Sequence, residues 1–248
     1  MLGPSRVAAT IAAAAVLLSP IAINAASLKL YPVRIVLTPD RPIQTMTIHN
    51  EGGESFRGQM RLFAWRQADG KDVLEETRDI LANPPLFEIR PRGDQIARFG
   101  LRAQAGSIEK SYRVLVQEIP TERPKSPGQL QTLLRISVPI FVPPTKVAPA
   151  RLVWRISPSR GGQVAVDIQN GGTVHVQINR LVLKQGGKPI GQQDTAKYLL
   201  PGSSYRGTLN VSKVLQPRTS VVLDAQTDQG DISATIVTDT APSNAGRP

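Results

Sequence analysis

The sequence predicts an all-β fold made of two β-sandwich domains in tandem. Three observations carry that reading. Apolar and polar residues alternate in short runs along the chain, the period of a half-buried strand. Glycine, proline and asparagine interrupt these runs at intervals of about ten residues, the rhythm of a sandwich. No stretch keeps the three-to-four-residue apolar spacing of a long helix.

The first residues stand apart from this pattern. Residues 1–6 carry one positive charge, residues 7–18 form an alanine-rich apolar run, and Ile23-Asn24-Ala25 supplies a small-residue cleavage site. This predicts a secretory signal peptide over residues 1–25, shorter than a membrane span, and places the rest of the chain in a periplasm-like compartment. No later apolar run approaches transmembrane length. The chain has no cysteine, so it must hold together through hydrophobic cores, which domains of about 100 residues can build. Its formal charge of +11 suits anionic partners or simply a soluble surface. No basic run with interleaved aromatics marks a nucleic-acid interface.

In the first domain, residues 26–142, strands are expected over 28–37, 43–50, 58–66, 86–90, 95–101, 112–119 and 130–142. The turns between them include Asn50-Glu51-Gly52-Gly53, Asp69-Gly70, Asn83-Pro84-Pro85 and Pro91-Arg92-Gly93, which supply the fixed or positive φ angles of chain reversals. Residues 75–81 suggest one helical turn. A double proline in Pro143-Pro144-Thr145-Lys146 reads as a stiff linker over 143–146.

In the second domain, residues 147–240, strands are expected over 151–156, 163–170, 175–184, 196–200, 205–211, 220–227 and 232–238. Trp154 shares a face with Leu152 and Ile156 and is expected in the core. Ile48-His49-Asn50-Glu51-Gly52-Gly53 is echoed by Ile168-Gln169-Asn170-Gly171-Gly172, and Pro91-Arg92-Gly93 by Pro201-Gly202. The spacing is about one domain length, so the two sandwiches read as related. The small, polar tail over 241–248 is expected to be disordered.

Residues 130–142 carry the strongest single signal. Leu134, Ile136, Val138, Ile140 and Val142 form a continuous apolar stripe, and Leu130 and Thr132 extend it. Pro139 lies inside the run. Proline cannot donate to a ladder, so this strand is expected at a sheet edge. A long apolar edge is a template for pairing with another chain, which suggests that such pairing is its role.

Catalytic chemistry has little to stand on. Thiol chemistry is excluded, no nucleophile elbow, zinc-binding histidine pair or phosphate loop is present, and no cofactor or metal is expected. His49 and His175, the only histidines, read as surface or turn-supporting residues. Asp228, Asp231 and Asp239 read as solvated turn carboxylates rather than a calcium loop. Two arginines stand out. Arg34 interrupts the apolar run Tyr31-Pro32-Val33-Arg34-Ile35-Val36-Leu37, opposite in facing to Val33, Ile35 and Leu37. It is either a solvent-facing side chain or a cleft residue gripping a carboxylate. Arg135 faces away from the Leu134/Ile136 stripe in the same manner.

Together these segments resemble the PapD-like periplasmic chaperones of the chaperone–usher pilus pathway, in wording closer to the archaic branch. The matching pieces are Tyr31–Leu37, Thr47-Ile48-His49-Asn50, the run from Asn83-Pro84-Pro85 to Pro91-Arg92-Gly93, Gln117-Glu118-Ile119-Pro120, and the strand over 130–142, which follows a variable loop over 121–129. The resemblance implies two immunoglobulin-like domains at an angle and a non-enzymatic function. Pilin-type subunits would be captured by donor-strand complementation through Leu130, Thr132, Leu134, Ile136, Val138 and Ile140, and then delivered to an outer-membrane usher. Arg34 would anchor the subunit's C-terminal carboxylate. Where well-known members carry a second anchoring lysine, this sequence has Pro139. Arg135 is the candidate replacement, with Lys146 behind it. The free protein is expected to be a monomer or weak homodimer. The alternative is a secreted structural subunit or a surface-ligand binding module.

Overall fold

The computed structural model describes residues 27–120, 132–146, 148, 151–158 and 161–239. The expected signal peptide, the loop over 121–129, Leu130 and the tail over 241–248 lie outside the described residues. Those described form strands and no helix, in two sandwiches of two sheets each.

In the first sandwich one sheet runs β1 (Leu28–Tyr31), β3 (Ile43–Asn50), β8 (Asp94–Leu101), β6 (Ile80–Asn83). The facing sheet runs β2 (Ile35–Val36), β10 (Arg135–Val142), β9 (Lys110–Glu118), β4 (Phe56–Ala68), β5 (Lys71–Glu76), and β7 (Leu86–Ile89) also pairs with β4. Met46, Ile48, Phe99, Tyr112, Val114, Val138 and Ile140 fill the space between them. In the second sandwich β11 (Leu152–Pro158), β12 (Gln163–Asn170) and β15 (Ser204–Asn210) face β14 (Lys188–Leu199), β13 (Val176–Gln185), β16 (Ser220–Thr227) and β17 (Gly230–Val237). Its core includes Ile156, Val166, Ile168, Val176, Leu183 and Leu223, and Trp154 packs against it with Leu152 as expected.

Three expectations are corrected. The single strand over 28–37 is two strands in different sheets: β1 pairs with β3, and β2 pairs in parallel with β10. Proline at position 32 breaks the ladder between them, and Val33, expected beside Ile35 and Leu37, is left exposed. The helical turn over 75–81 is instead the end of β5 and the start of β6. Asp69 and Gly70 both adopt positive φ, the hairpin geometry that joins β4 to β5. Nearly every β5 side chain is exposed, so the strand carries no apolar stripe to read. Likewise β14 is far longer than 196–200. Its polar run Gln192-Gln193-Asp194 masks a strand held by Gly186 and Gly187 at positive φ.

The internal echo is structural. Asn50 Nδ2 donates to the carbonyls of Glu54, Ile89 and Arg90, and its Oδ1 accepts from Gly52 N. Asn170 Nδ2 donates to the carbonyls of Val174 and Leu199, and its Oδ1 accepts from Gly172 N. Each asparagine ends a strand and pins two loops at one end of its own sandwich.

The sandwiches touch through a small cluster of Trp65, Phe141 and Leu200, with Tyr198 packed against it. Gln67, at the end of β4, reinforces the contact. Its Nε2 donates to Tyr198 O, and its Oε1 accepts from Leu200 N and Ser203 Oγ.

Candidate functional site: a strand edge and an interdomain cleft

β10 is antiparallel to β9, with Arg135 opposite Gln117 and Val142 opposite Lys110. Glu118 N donates to Leu134 O. In an antiparallel ladder, opposed pairs alternate between hydrogen-bonded and non-bonded. The even-numbered residues of β10 therefore bond to β9, and the odd-numbered ones turn their backbone groups away from it. Leu37 N donates to Phe141 O, in keeping with that parity. Pro139 is odd-numbered, so its missing N–H takes nothing from the β9–β10 ladder. On the other side, β2 covers only Ile140 and Phe141. Among the described residues, the backbone groups of Arg135 and Ser137 on that side meet no strand. The edge predicted from Pro139 is present, over the first half of β10.

Side chains divide the same strand differently from expectation. Val138 and Ile140 are 2% and 0% exposed, within the first core. Leu134 and Ile136 are half-buried against that core, and Thr132 is exposed. Val138 and Ile140, expected on the donor face, are thus locked into their own domain. Leu134 and Ile136 are the members of that stripe that stay partly exposed.

Arg34 lies between β1 and β2 and reaches into the second domain. Its Nη1 donates to Asp228 Oδ2 at 2.7 Å, and its Nη2 to Gln177 Oε1 at 2.7 Å and Tyr198 Oη at 3.2 Å. Its guanidinium carbon lies 5.6 Å from the Tyr198 ring centroid and 5.9 Å from that of Phe141, within cation–π range. Burial works against the Arg34 charge, but Tyr198 and Asp228 outweigh it and hold the pKa above its ordinary value. Arg34 is thus part-buried and ion-paired at the domain junction rather than solvent-facing.

Asp228 is not the solvated turn carboxylate expected. Its Oδ1 accepts from Gln177 N at 2.7 Å, and its Oδ2 receives Arg34. Burial pushes its pKa up, but His175, the Gln177 N–H and Arg34 together hold it below the usual value. Nor is His175 a surface residue. It is 6% exposed and lies flat on Phe141, centroids 3.6 Å apart and planes at 7°. Its Nδ1 is 2.7 Å from Glu109 Oε1, and its Nε2 is 3.4 Å from Asp228 Oδ2. The second contact is an ion-pair separation, longer than a good hydrogen bond. Burial disfavours the His175 charge, but the two carboxylates overcome it and raise the pKa. His49 is the surface residue expected, half-exposed and paired with Asp94.

Arg135 does not join Arg34. It is exposed and stands six residues before Phe141, about 20 Å along the strand, so one carboxylate cannot span both guanidinium groups. Lys146 is exposed in the linker. Arg113 of β9, directly opposite Pro139, is a further basic side chain at the domain junction. Its guanidinium carbon sits 3.7 Å over the Trp65 ring and 5.4 Å from that of Tyr198. Burial depresses its pKa, opposed in part by Asp72 and Tyr198. It borders a cleft of about 260 Å³ lined by Trp65, Asp72, Lys197, Tyr198 and Tyr205. In the sequence, Arg113 looks like an ordinary strand cation between Tyr112 and Val114. Only its register against Pro139 distinguishes it.

Among the described residues no group of three or more histidine, cysteine or acidic side chains could hold a metal, and no helix is long and apolar enough to cross a membrane.

Comparison with known proteins bears on this arrangement. Residues 27–148 match the family described as pili and flagellar-assembly chaperone, PapD N-terminal domain. A search of curated protein sequences gave no match. Among solved structures, the fold is similar to one described as the CsuC–CsuE chaperone–tip adhesion subunit pre-assembly complex from archaic chaperone–usher Csu pili of Acinetobacter baumannii. That match has a TM-score of 0.61 and 18% identity, over 86% of this chain and 99% of the other. The E. coli chaperone DraB gives a TM-score of 0.56 and 19% identity over 85% and 99%. The Salmonella enterica SafA pilin in complex with the SafB chaperone gives 0.56 and 19% over 85% and 96%. The first domain carries the family's sequence pattern and both domains carry its fold: the chain belongs to the PapD-like chaperone family.

Proposed function

We infer that this protein is a pilus-assembly chaperone that binds pilin-type subunits by lending them the free edge of β10. The observation that carries the reading is the parity of that strand. Even-numbered residues secure it to β9, while Arg135 and Ser137 leave backbone donors and acceptors on the side that no strand covers among the described residues. An extended partner segment added there gains ladder hydrogen bonds, with side chains at alternate positions giving specificity. Leu134 and Ile136, half-buried on the first core, are the described residues that would offer apolar contacts, with Leu130 and Thr132 continuing the stripe. Val138 and Ile140 would act as the root that keeps the strand seated.

Arg34 is the proposed anchor for a subunit's terminal carboxylate. A planar guanidinium at a domain junction can bind a carboxylate through paired N–H groups. Binding of this kind needs no cofactor and makes or breaks no covalent bond. Action in the periplasm after removal of residues 1–25, and hand-over of the subunit to an outer-membrane usher, complete the proposed role.

Co-expression of the chain with neighbouring exported β-rich proteins tests the reading. A one-to-one complex is expected, lost in Ile136→Asp and weakened in Arg34→Ala. Equal recovery of that complex from both variants and the wild type would refute both assignments.

A further inference from the structure

Arg34 already holds a carboxylate of its own chain. Asp228 Oδ2 sits 2.7 Å from its Nη1, so any external carboxylate arriving at Arg34 competes with Asp228. The same Oδ2 faces His175 Nε2 at 3.4 Å. His175 Nδ1 faces Glu109 Oε1 at 2.7 Å, and that oxygen also accepts from the backbone N of His175 at 3.0 Å. Both ring nitrogens of His175 are therefore turned toward carboxylates.

An ionised carboxylate only accepts hydrogen bonds. A neutral imidazole can serve one of these contacts but not both. With its proton on Nδ1 for Glu109, the Nε2 lone pair points at Asp228 Oδ2, acceptor against acceptor. Consistently, Nε2 is buried with no hydrogen bond. Protonation turns the repulsive contact into an attractive one and satisfies the atom. Phe141 covers one face of the ring, the Tyr198 ring lies 5.7 Å away, and Gln229 Nε2 reaches the His175 carbonyl at 3.4 Å. The charged groups around the ring are thus Glu109, Asp228 and, through Asp228, Arg34.

We propose that His175 is a proton-sensitive positioning residue: by drawing on the Asp228 carboxylate, it sets how much of the Arg34 charge is offered to a partner's carboxylate, so that capture strengthens as pH falls. This rests on the reading of Arg34 as the carboxylate anchor. With His175 neutral, Glu109, Asp228 and Arg34 sum to one negative charge, which repels an incoming anion. With His175 protonated the cluster is neutral and Asp228 is shared between two cations. Linkage is reciprocal, so a carboxylate bound at Arg34 must in turn favour the protonated ring. The expected gain in capture on protonation is on the order of tenfold.

The test follows the ring itself. His49→Gln removes the only other histidine, a surface residue paired with Asp94, and leaves one imidazole signal to titrate by NMR. Asp228→Asn should move its midpoint down. Arg34→Ala should move it up, because Asp228 then serves His175 alone. Saturating acetate, as the carboxylate probe, should move it up in the parent and not in Arg34→Ala. A midpoint unmoved by Arg34→Ala would overturn the coupling, and one unmoved by acetate would overturn the competition with Asp228. Subunit capture that is lost in Arg34→Ala at every pH, yet equally strong above and below the midpoint in the parent, would leave the anchor standing and sink the proton switch. Capture indifferent to Arg34→Ala, with the midpoint still coupled, would instead remove the anchor.

Discussion

Pro139 of β10 and Arg113 of β9 are direct cross-strand partners. The residue that cannot donate to an edge and the guanidinium that stacks on Trp65 therefore occupy one position across the sheet that faces the second domain. Family resemblance leads one to expect a lysine at 139. Here the cation of that neighbourhood stands one strand inward, held over an indole 4% exposed to solvent.

Arg113→Ala should therefore act on the junction between domains. It removes a cation–π contact of about 0.5–2 kcal/mol and uncovers Trp65, Phe141 and Leu200. We expect a loss of about 1–2 kcal/mol in urea unfolding, with a red shift of Trp65 fluorescence read in a Trp154→Phe background. An unshifted emission maximum would show that Arg113 does not seal the contact.

The parity of β10 separates two proline substitutions. Ser137→Pro deletes an N–H that faces the uncovered edge, as Pro139 already does, and leaves the ladder to β9 complete. Ile136→Pro deletes an N–H bonded toward Val116, in a residue packed on the core, and leaves a ladder acceptor unpaired, which should cost about 1–3 kcal/mol. Ser137→Pro should unfold within about 1 kcal/mol of the parent yet lose subunit capture. Unimpaired capture by Ser137→Pro would move the docking edge elsewhere.

How far the sequence discloses this arrangement differs from feature to feature. The alternation from Leu134 to Val142 and the proline within it identify an edge strand, because period and missing donor are both local properties. The alternation does not tell which side of the strand is open to a partner. Val138 and Leu134 belong to the same stripe, and only the packing of the facing sheet buries one and half-exposes the other. Arg34 is legible as a cation out of place in an apolar run. Glu109, His175 and Asp228 are not, since each sits near a turn where charged and polar residues are ordinary, and Glu109 meets His175 across the two domains, 66 residues apart in the chain. β5 and β14 escape detection because exposed hairpins are held by their turns and neighbours, with no buried face to write an apolar period.

Stability should depend on pH in a defined sense. His175 has its pKa raised in the folded chain, so its contribution is complete below the ordinary histidine value of about 6.5 and is lost as pH rises through the folded value. Asp228 has its pKa lowered, so its contribution is complete above about 3.9 and is lost as pH falls through the folded value. The junction is thus strongest between about pH 4 and pH 6.5. Chemical unfolding across a pH series should show the parent weakening on the alkaline side and His175→Gln nearly flat there. Parallel curves for the two proteins would mean that folding leaves the His175 pKa where it is in the unfolded chain.

The matched asparagines allow the most direct test that the two sandwiches are built alike. Asn170 is fully buried and serves three partners, Gly172 N and the carbonyls of Val174 and Leu199. Asn170→Ala strands all three in a site closed to water, where an unpaired polar group costs about 1–3 kcal/mol. Asn170→Asp keeps the acceptor for Gly172 but turns a second acceptor toward two carbonyls, so it should be at least as damaging as alanine. Asn50, 1% exposed, has the same division of labour, with one acceptor contact and three donor contacts. Asp should therefore exceed or equal Ala at both positions when unfolding is followed by calorimetry. If Asp were milder than Ala at either site, the amide nitrogen would not be the group that pins the loops, and the likeness of the two domains would stop at their turns.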